Sequence, residues 1–316
     1  MTRRTERLRT QTAYPEFRRP QSSVEFARGP PTGIIENISD TARWVAVYRA
    51  RETERDGAVF KDPFARRLAG ERGEEIARAH TFGEANEWPF IARTVMFDTA
   101  IANEIARGVD TVICLAAGLD ARPYRMELPS SLRWIEVDLP GLIAYKETVL
   151  GNEAPRCALE RISQDLSDED ARRTLFNRVG QDSRRALVIA EGLLVYLTED
   201  QVSSLARDLA AEPSFERWII DIANPALITL MQREMSEHVN SAGIPFRFGP
   251  ADGPAFFVSC GWKPADVRSA FRTAAALRRL PPELQSFAHY PDPPEPWKLP
   301  YPWSGVCVLE RDAAGL

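Results

Sequence analysis

The chain has 316 residues, of which 44% are hydrophobic and 27% are charged, and its formal net charge is −5. This composition is ordinary for a globular protein, and the length suits one large α/β domain with an appendage or two small domains. A weakly negative chain lacks the positive field that attracts nucleic acid or an anionic membrane. We therefore expect a small molecule or a protein as its partner.

Cysteine usage and hydropathy give a first indication of location. The four cysteines stand at positions 114, 157, 260 and 307, which is too scattered for a metal site, so we expect no bound metal. They are interpreted as buried thiols of a protein in a reducing compartment. No apolar run approaches the roughly 18 residues of a membrane span, and none resembles the core of a signal peptide. The sequence therefore predicts a cytoplasmic protein.

The N-terminal third divides into a basic tail and a helical segment. Residues 1–33 carry seven arginines against three glutamates, with prolines and few aliphatic side chains, which predicts a flexible tail. From 34 to 107 the pattern is helical, and over 87–107 the apolar residues form one stripe at helical spacing. Arg93 lies off the centre of that stripe, a position where an arginine is usually solvated.

The stretch after this segment has the pattern of a nucleotide-binding unit. A β-branched run, Thr111–Leu115, predicts a strand buried on both faces of a parallel sheet. Ala116, Ala117 and Gly118 follow, and there a backbone could approach a ligand closely. A second apolar run ends in Asp138, about 20 residues later, where an acid can accept hydrogen bonds from ribose hydroxyls. A tight turn without a ligand is the alternative, because the dinucleotide fingerprint has three glycines and this turn has one.

Strands and helices alternate after Asp138, which indicates a parallel sheet covered on both faces. A weak strand leads to Asp165 and Leu166, and a clearly buried strand leads to Glu191. Ligands of such sheets bind at the carboxyl ends of the strands. Each acid alone is best interpreted as a solvated strand end, but three in succession indicate a polar ligand that carries hydroxyl groups.

The C-terminal part combines aromatic residues with prolines. Phe256-Phe257-Val258-Ser259 followed by Gly261-Trp262 is interpreted as a helix end and a turn, and the prolines between 281 and 302 suggest an extended connection. Val306–Glu310 is predicted as a terminal strand of alternating type. We expect several aromatic side chains to line a pocket beneath the helical segment, with ordinary core positions as the alternative. These side chains are Trp44, Phe246, Phe248 and Trp303.

Several short motifs form a set. They are Ser39-Asp40-Thr41-Ala42, Asp62-Pro63-Phe64, Arg93, Leu119-Asp120-Ala121-Arg122, Trp134–Asp138, Asp165-Leu166 and Glu191-Gly192-Leu193-Leu194-Val195-Tyr196-Leu197. Together they resemble the leucine carboxyl methyltransferase family, and within it the bacterial branch of small-molecule O-methyltransferases. The resemblance covers residues 34–225 well and the rest loosely. The chain differs from the family at Ala116, where many members have glycine, and at Ala121, where threonine is usual.

The resemblance implies an α/β fold, with a Rossmann-like sheet of seven strands whose last strand is antiparallel and with helices on both faces. The chain is predicted to divide into three segments. Residues 1–33 would form the flexible basic tail, 34–107 a helical cap that covers the substrate, and 108–316 the cofactor-binding domain with C-terminal lid insertions.

The resemblance further implies that the chain binds S-adenosylmethionine (SAM) and releases S-adenosylhomocysteine (SAH). The residues that it implies for this site are Arg93, Ala116, Ala117, Gly118, Asp138, Asp165, Leu166 and Glu191. Arg93 would bind the methionine carboxylate, to which its planar fork is suited, and Glu191 would lie near the sulfonium and its amino acid moiety. Asp138 would accept hydrogen bonds from the ribose hydroxyls, and Asp165 with Leu166 would hold the adenine.

The predicted reaction is methyl transfer to a carboxylate or hydroxyl of a small molecule, such as a polyketide or a similar secondary metabolite. Positioning alone can accelerate such a displacement greatly. An ionised carboxylate needs no general base, whereas a phenol or alcohol benefits from one. His289 is the one histidine considered for that role, although a surface position is the more common one for histidine. Tyr196 could line the acceptor pocket or belong to the core.

Several alternatives stay open. A carboxyl methyltransferase that acts on a protein C-terminus is an alternative within the same class, and a homo-oligomer is compatible with either. A nicotinamide-dependent oxidoreductase would share the start of the fold, but it would normally have three glycines in the first turn. A non-catalytic binding protein would lack some of the strand-end acids. The tRNA-modifying branch of the family carries an extra repeat domain, and the net charge does not suit RNA.

Overall fold

The computed structural model describes residues 38–79, 87–234 and 245–312, and all structural statements concern these residues. The predicted basic tail, residues 1–33, lies outside them. None of the helices in these ranges is both long enough and apolar enough to cross a membrane.

A seven-stranded sheet forms the centre of the fold. Its strands are β1 (Thr111–Leu115), β2 (Arg133–Asp138), β3 (Ala158–Ser163), β4 (Ala186–Ala190), β5 (Phe215–Ala223), β6 (Trp262–Ser269) and β7 (Ser304–Arg311). Their order across the sheet is β3-β2-β1-β4-β5-β7-β6. Pairing is parallel except at β7, which runs antiparallel to both β5 and β6. The predicted α/β fold, with an antiparallel last strand, is confirmed.

Helices precede and connect these strands. They are α1 (Ile38–Glu54), α2 (Ala65–Ala79), α3 (Trp88–Ala106), α4 (Arg122–Arg125), α5 (Pro140–Leu150), α6 (Glu169–Gln181), α7 (Glu199–Ala210), α8 (Pro225–Glu234), α9 (Ala270–Ala276) and α10 (Pro282–Gln285). Short 3₁₀ helices occupy Leu194–Tyr196, Gly253–Cys260, Ser286–His289 and Pro296–Lys298.

The central strands are apolar throughout because helices cover both faces of the sheet. All five residues of β1 and all five of β4 are buried. Side chains of β1 alternate between two cores, since successive residues of a strand point to opposite faces. Val112 and Cys114 pack with α3, whereas Ile113 and Leu115 pack in the core that contains α6 and α7.

The N-terminal helices occupy two different positions. Met96 and Phe97 of α3 pack in the same core as β1, so α3 lies directly on the sheet. Residues of α1 and α2 form another core with each other and with α5, which includes Trp44, Leu68 and Leu142. The division into a cap and a cofactor-binding domain stays a prediction.

The C-terminal part contains a strand that the sequence did not predict. The helix end and the turn predicted over 256–262 are present, as a 3₁₀ helix that ends at Gly261, but Trp262 then begins strand β6. The strand lacks an alternating pattern because it lies at the sheet edge, where most of its side chains are partly or fully exposed, and a bulge follows Pro264. The proline-rich stretch between 281 and 302 contains short helical turns as well as extended backbone. Gly261, with a φ of 90°, ends the preceding 3₁₀ helix.

Candidate active site

The turn after β1 lies against the end of β2. The N–H of Ala117 donates to the carbonyl oxygen of Val137 at 3.1 Å, and the N–H of Gly118 donates to Oδ2 of Asp138 at 2.6 Å. Ala116 and Gly118 both have a positive φ, of 49° and 51°. Glycine adopts this conformation freely, whereas an alanine there costs roughly 1–2 kcal/mol. The structure thus brings the small-residue turn and the strand-end acid together.

Asp138 has hydrogen-bonding capacity beyond the turn. Its Oδ1 accepts the N–H of Leu139 at 2.7 Å, so each carboxylate oxygen holds one backbone donor. A carboxylate offers about four lone-pair sites, which leaves room for further donors. Burial raises the pKa of Asp138 above its usual range, against the opposing effect of the two N–H donors and of Lys146.

The segment after β3 runs beside Asp138. The N–H of Gln164 donates to the Asp138 carbonyl oxygen at 2.9 Å, which holds the predicted pair Asp165 and Leu166 at this edge of the sheet. Asp165 is exposed, and its Oδ1 accepts the N–H of Ser167 at 2.8 Å. Leu166 is half-buried against the core. An exposed carboxylate and an aliphatic side chain therefore follow one another beside the turn.

Arg93 joins the ends of two neighbouring strands. Its Nε donates to Oε1 of Glu191, after β4, and its Nη1 donates to Oδ2 of Asp221, in β5, each at 3.0 Å. Oδ1 of Asp221 accepts the N–H of Gly192 at 2.7 Å, which fixes the turn that follows Glu191. Gly192 has a φ of 68°, and a Cβ there would lie 3.5 Å from Nη1 of Arg93. The predicted residues Arg93 and Glu191 are thus in direct contact.

Arg122, in α4, extends this contact to the turn after β1. Its side chain is only 3% exposed and contacts three carboxylates: Asp98 at 2.6 Å, Asp120 at 2.9 Å and Glu191 at 2.8 Å. Burial would raise the pKa of Glu191, but the charges of Arg122 and Arg93 outweigh it and hold this pKa below its usual range. Burial also acts on Asp120, yet Arg122 is the strongest of the cations that lower its pKa to about 2.

These ion pairs belong to one continuous charge network. It consists of Asp62, Asp98, Asp120, Glu191 and Asp221 with Arg49, Arg93, Arg122 and Arg125. Five carboxylates stand against four guanidinium groups, so the network as paired here carries one uncompensated negative charge. A buried negative charge favours a cation over a neutral or anionic ligand.

Helix α1 contacts the turn as well. Nη2 of Arg49 donates to the carbonyl oxygen of Leu119 at 2.6 Å, while its Nε pairs with Asp62 at 2.9 Å. A Cβ placed on Gly118 would lie 3.6 Å from the Cβ of Ala42. Helix α1 therefore packs against the turn through Ala42 and Arg49.

The two residues considered for proton transfer differ in position. Tyr196 lies in the 3₁₀ helix after Glu191, hydrogen-bonds Thr41 of α1 and stacks on Phe246 with ring centroids 5.5 Å apart. Burial raises the pKa of Tyr196. His289 is exposed on a 3₁₀ helix that follows α10. Among the residues that the structure describes, no group of three or more side chains could hold a metal ion.

The four aromatic residues expected to line a pocket divide into two groups. Trp44 and Phe246 pack in the core shared by α1, α2 and α5, near Tyr196. Phe248 and Trp303 lie in the core between the sheet and helices α6 and α7. All four side chains are buried in these cores, and a pocket lined by them stays a prediction.

The sequence did not single out Asp221, Arg122 or Asp98 as site residues. Asp221 had a usable signal, since it is another acid near the end of a buried strand, as Asp138 and Glu191 are. Arg122 belongs to the quoted motif Leu119–Arg122, but nothing in the sequence placed it beside Glu191. Such contacts depend on which strands become neighbours in the sheet.

Comparisons with known proteins identify the family of the chain. The leucine carboxyl methyltransferase family matches residues 42–210. A protein of Streptomyces avermitilis named "Putative S-adenosyl-L-methionine-dependent methyltransferase" is 34% identical over 282 residues, which cover 83% of this chain and 95% of that one. A protein of Parafrankia with the same description is 28% identical over 266 residues, covering 78% and 84%.

Two solved structures share the fold. A "duf574 family protein" from Streptomyces avermitilis has a TM-score of 0.54 at 13% identity, covering 86% of this chain and 97% of that one. A "putative methyltransferase" from Thermobifida fusca has a TM-score of 0.52 at 15% identity, covering 91% and 100%. The chain belongs to the leucine carboxyl methyltransferase family. This confirms the predicted family and its enzyme class, the SAM-dependent methyltransferases.

Proposed function

We propose that this protein transfers the methyl group of SAM to a carboxylate or hydroxyl group of a small molecule. The observation that carries the proposal is the charge network at the carboxyl edge of the sheet, which adjoins the turn held by Asp138. Ligands of open α/β sheets bind at this edge, and the relatives reported above are named for their use of SAM.

The charge of the site fits the proposed ligand. SAM carries a sulfonium, an ammonium and a carboxylate, and therefore one net positive charge. Its sulfonium would supply the methyl group, which the acceptor takes as the carbon–sulfur bond breaks and the neutral thioether of SAH leaves. The network holds five carboxylates and four guanidinium groups. The uncompensated negative charge of the site thus matches the net charge of the ligand.

The site residues divide the work of binding. Nε and Nη1 of Arg93 donate hydrogen bonds to Glu191 and Asp221. The remaining nitrogen, Nη2, would bind the methionine carboxylate. Asp138 would accept the ribose hydroxyls with its remaining lone pairs. Asp165 and Leu166 would hold the adenine edge and face, and the backbone of residues 116–118 would lie along the ligand.

An acceptor that is already ionised suits the described residues best. A carboxylate needs no general base at neutral pH. His289 is exposed, and burial raises the pKa of Tyr196, so the Tyr196 phenol keeps its proton and would orient a substrate rather than deprotonate it. Positioning of the acceptor against the methyl group would then supply most of the acceleration.

The remaining expectations belong to the same proposal. The four cysteines are free and buried, as suits the cytoplasm, where we place the protein. We also propose a role in secondary metabolism, without nucleic-acid or membrane partners. A protein C-terminus as acceptor stays the alternative within the class, and a homo-oligomer is compatible with both. Membership of a methyltransferase family argues against the oxidoreductase alternative.

Calorimetric titration with SAH tests the cofactor site. We expect saturable binding by the wild type, no binding of NADH, and at least tenfold weaker SAH binding (about 1.4 kcal/mol) by Asp138→Ala. Asp110→Ala is the matched control, because Asp110 stands at the opposite edge of the sheet, where it pairs with Arg184. A folded wild type that does not bind SAH would overturn the proposal, and equal losses in both variants would overturn the assignment of Asp138.

Alkaline lability of the product distinguishes the acceptor groups. After turnover with methyl-labelled SAM and a panel of aromatic and aliphatic acids and phenols, a methyl ester releases labelled methanol in mild alkali, whereas a methyl ether does not. We expect labelled methanol. Alkali-stable label would indicate a hydroxyl acceptor, and label transferred only to C-terminal peptides would favour the protein-modifying alternative.

A further inference from the structure

The segment 245–250 crosses the carboxyl ends of two central strands. At β4, the N–H of Arg247 donates to the carbonyl oxygen of Val195 at 2.7 Å, in the 3₁₀ helix that follows the strand. At β5, a Cβ placed on Gly249 would lie 3.2 Å from the carbonyl oxygen of Ala223, the last residue of the strand. Arg247 therefore lies at the same edge of the sheet as the charge network.

Arg247 stands between two buried aromatic residues. Phe246 stacks on Tyr196 with ring centroids 5.5 Å apart, and Phe248 packs in the core that contains α6 and α7. The phenol of Tyr196 is one of the groups that raise the pKa of Arg93, so it lies near the network. The two phenylalanines hold the backbone against the site, whereas Arg247 itself is exposed.

The guanidinium of Arg247 differs from those of the charge network because it lacks a partner. The four arginines of the network each contact at least one carboxylate. Within the described part of the chain, the Arg247 side chain forms no hydrogen bond or ion pair. By the proposed function, SAM compensates the negative charge of the network, and the SAM carboxylate occupies Arg93. Arg247 then still has its full hydrogen-bonding capacity for an anionic acceptor.

A guanidinium suits such an acceptor because its planar fork matches the geometry of a carboxylate. We infer that Arg247 binds the carboxylate of the methyl acceptor and thereby selects anionic acceptors over neutral ones. The inference rests on the proposed function and deepens it, since it assigns the recognition of the acceptor to a residue outside the charge network.

The transfer step sets which kinetic constant this contact would affect. A carboxylate oxygen forms a bond to the methyl carbon with one lone pair, while the carbon–sulfur bond breaks and its electron pair stays on the sulfur of SAH. No proton moves, and the acceptor becomes a neutral ester. Because the negative charge disappears during the reaction, Arg247 would hold the acid more strongly than the transition state. Its loss should therefore raise KM without lowering kcat.

Affinities for simple acids and for their neutral amides test the inference. Benzoate, phenylacetate and hexanoate, each compared with its primary amide, are titrated by calorimetry into the complex of the protein with SAH. We expect the wild type to bind at least one acid at least about tenfold more tightly than its amide, because charge-assisted hydrogen bonds are the strong ones. Arg247→Gln should lose this preference and bind SAH as the wild type does. Arg184→Gln, the matched control at an exposed arginine of the opposite edge, should keep it.

A second variant and a kinetic measurement sharpen the test. Arg247→Lys keeps the charge but loses the planar fork, so it should keep a weaker preference than the wild type. With an acid that accepts the methyl group of SAM, Arg247→Gln should raise KM at least about tenfold and should not lower kcat. A merely structural role of Arg247 would change the affinities for acid and amide equally, together with the affinity for SAH.

The outcomes separate the two proposals. If the folded wild type does not bind SAH, both proposals fail. If it binds SAH but prefers no acid over its amide, or if Arg247→Gln keeps the preference, only the assignment of Arg247 fails. A lower kcat in Arg247→Gln would also contradict that assignment. Should Arg247→Gln not fold, as judged by circular dichroism, the wild-type comparison and the weaker preference of Arg247→Lys still decide.

Discussion

Ion pairs occur at both ends of the parallel strands: at the amino edge of the sheet, where these strands begin, and at its carboxyl edge, where they end. The pairs at the two edges differ in kind. At the amino edge, Arg184 pairs with Asp110 and Arg185 with Glu216, and the Arg184 side chain is 90% exposed. At the carboxyl edge, one guanidinium that is 3% exposed, Arg122, serves three carboxylates. Exposed pairs contribute little to stability, whereas breaking a buried network leaves uncompensated charge in a medium of low dielectric constant.

This difference indicates what each edge is for. A buried ionic network is no more stabilising than a well-packed apolar core would be, so stability alone does not account for its presence at the carboxyl edge. The proposed binding of a ligand of opposite charge would account for it, because the network is already oriented before such a ligand arrives. The amino edge, which has ordinary surface pairs, needs no such account.

Replacement of Arg122 should lower the stability of the protein more than any other change at the carboxyl edge. Arg122→Met leaves three buried carboxylates without their shared cation, and we expect a loss of about 3–5 kcal/mol in the free energy of unfolding, measured in urea. Arg184→Met, the matched change at the amino edge, should alter stability by less than about 1 kcal/mol. Similar losses in both variants would contradict the contrast between the two edges.

The free energy of unfolding at acid pH should depend on Asp120. Its pKa is lowered to about 2 in the folded protein, against an ordinary value of 3.8. The resulting stabilisation is complete above the unfolded-state value and is lost as the pH falls through the folded-state value. We expect about 2 kcal/mol to disappear in this window. Urea unfolding at several pH values gives the free energy of unfolding of the wild type and of Asp120→Asn. The difference between these two free energies should narrow as the pH falls from 5 to 2. Parallel profiles would contradict the assignment.

The smallest expected effect concerns the backbone of the turn. Ala116 has a φ of 49°, so Ala116→Gly relieves strain of roughly 1–2 kcal/mol but gives the unfolded chain more freedom, at roughly 0.4–1 kcal/mol. We expect stability to stay the same or to rise by up to about 1.6 kcal/mol. Ala117→Gly, at a neighbour whose φ is not positive, should lower it by at least about 0.5 kcal/mol. Thermal unfolding measures both, and a clear loss in Ala116→Gly would show that the strain is absent.

How much the sequence predicts differs between the strands. β1 and β4 were predictable because each is an unbroken run of apolar residues buried on both faces. β6 was missed because an edge strand with exposed charges and a proline has no such pattern. The position of Asp138 and Glu191 was predictable because the alternation of strands and helices indicates a parallel sheet. That pattern alone places both acids at the carboxyl edge.

The side-chain contacts of the site were beyond prediction from periodicity or spacing. Arg93 and Glu191 are separated by 98 positions, and the sequence implied a role for each only through resemblance to a family. Arg93 contacts Glu191 and Asp221 only because α3 lies over β4 and β5. Pairings of this kind come from the tertiary arrangement, since charged residues leave no periodic signal that names their partners.

The most direct test of the central claim, that the carboxyl-edge network is the binding site for SAM, is a pair of SAH affinities. Calorimetry on Glu191→Gln should show at least a tenfold loss relative to wild type (about 1.4 kcal/mol), because the variant removes a carboxylate that orients both Arg93 and Arg122. Glu216→Gln, which removes a carboxylate from the amino edge, should bind SAH as the wild type does. Unchanged affinity in Glu191→Gln, with the variant folded, would contradict the account.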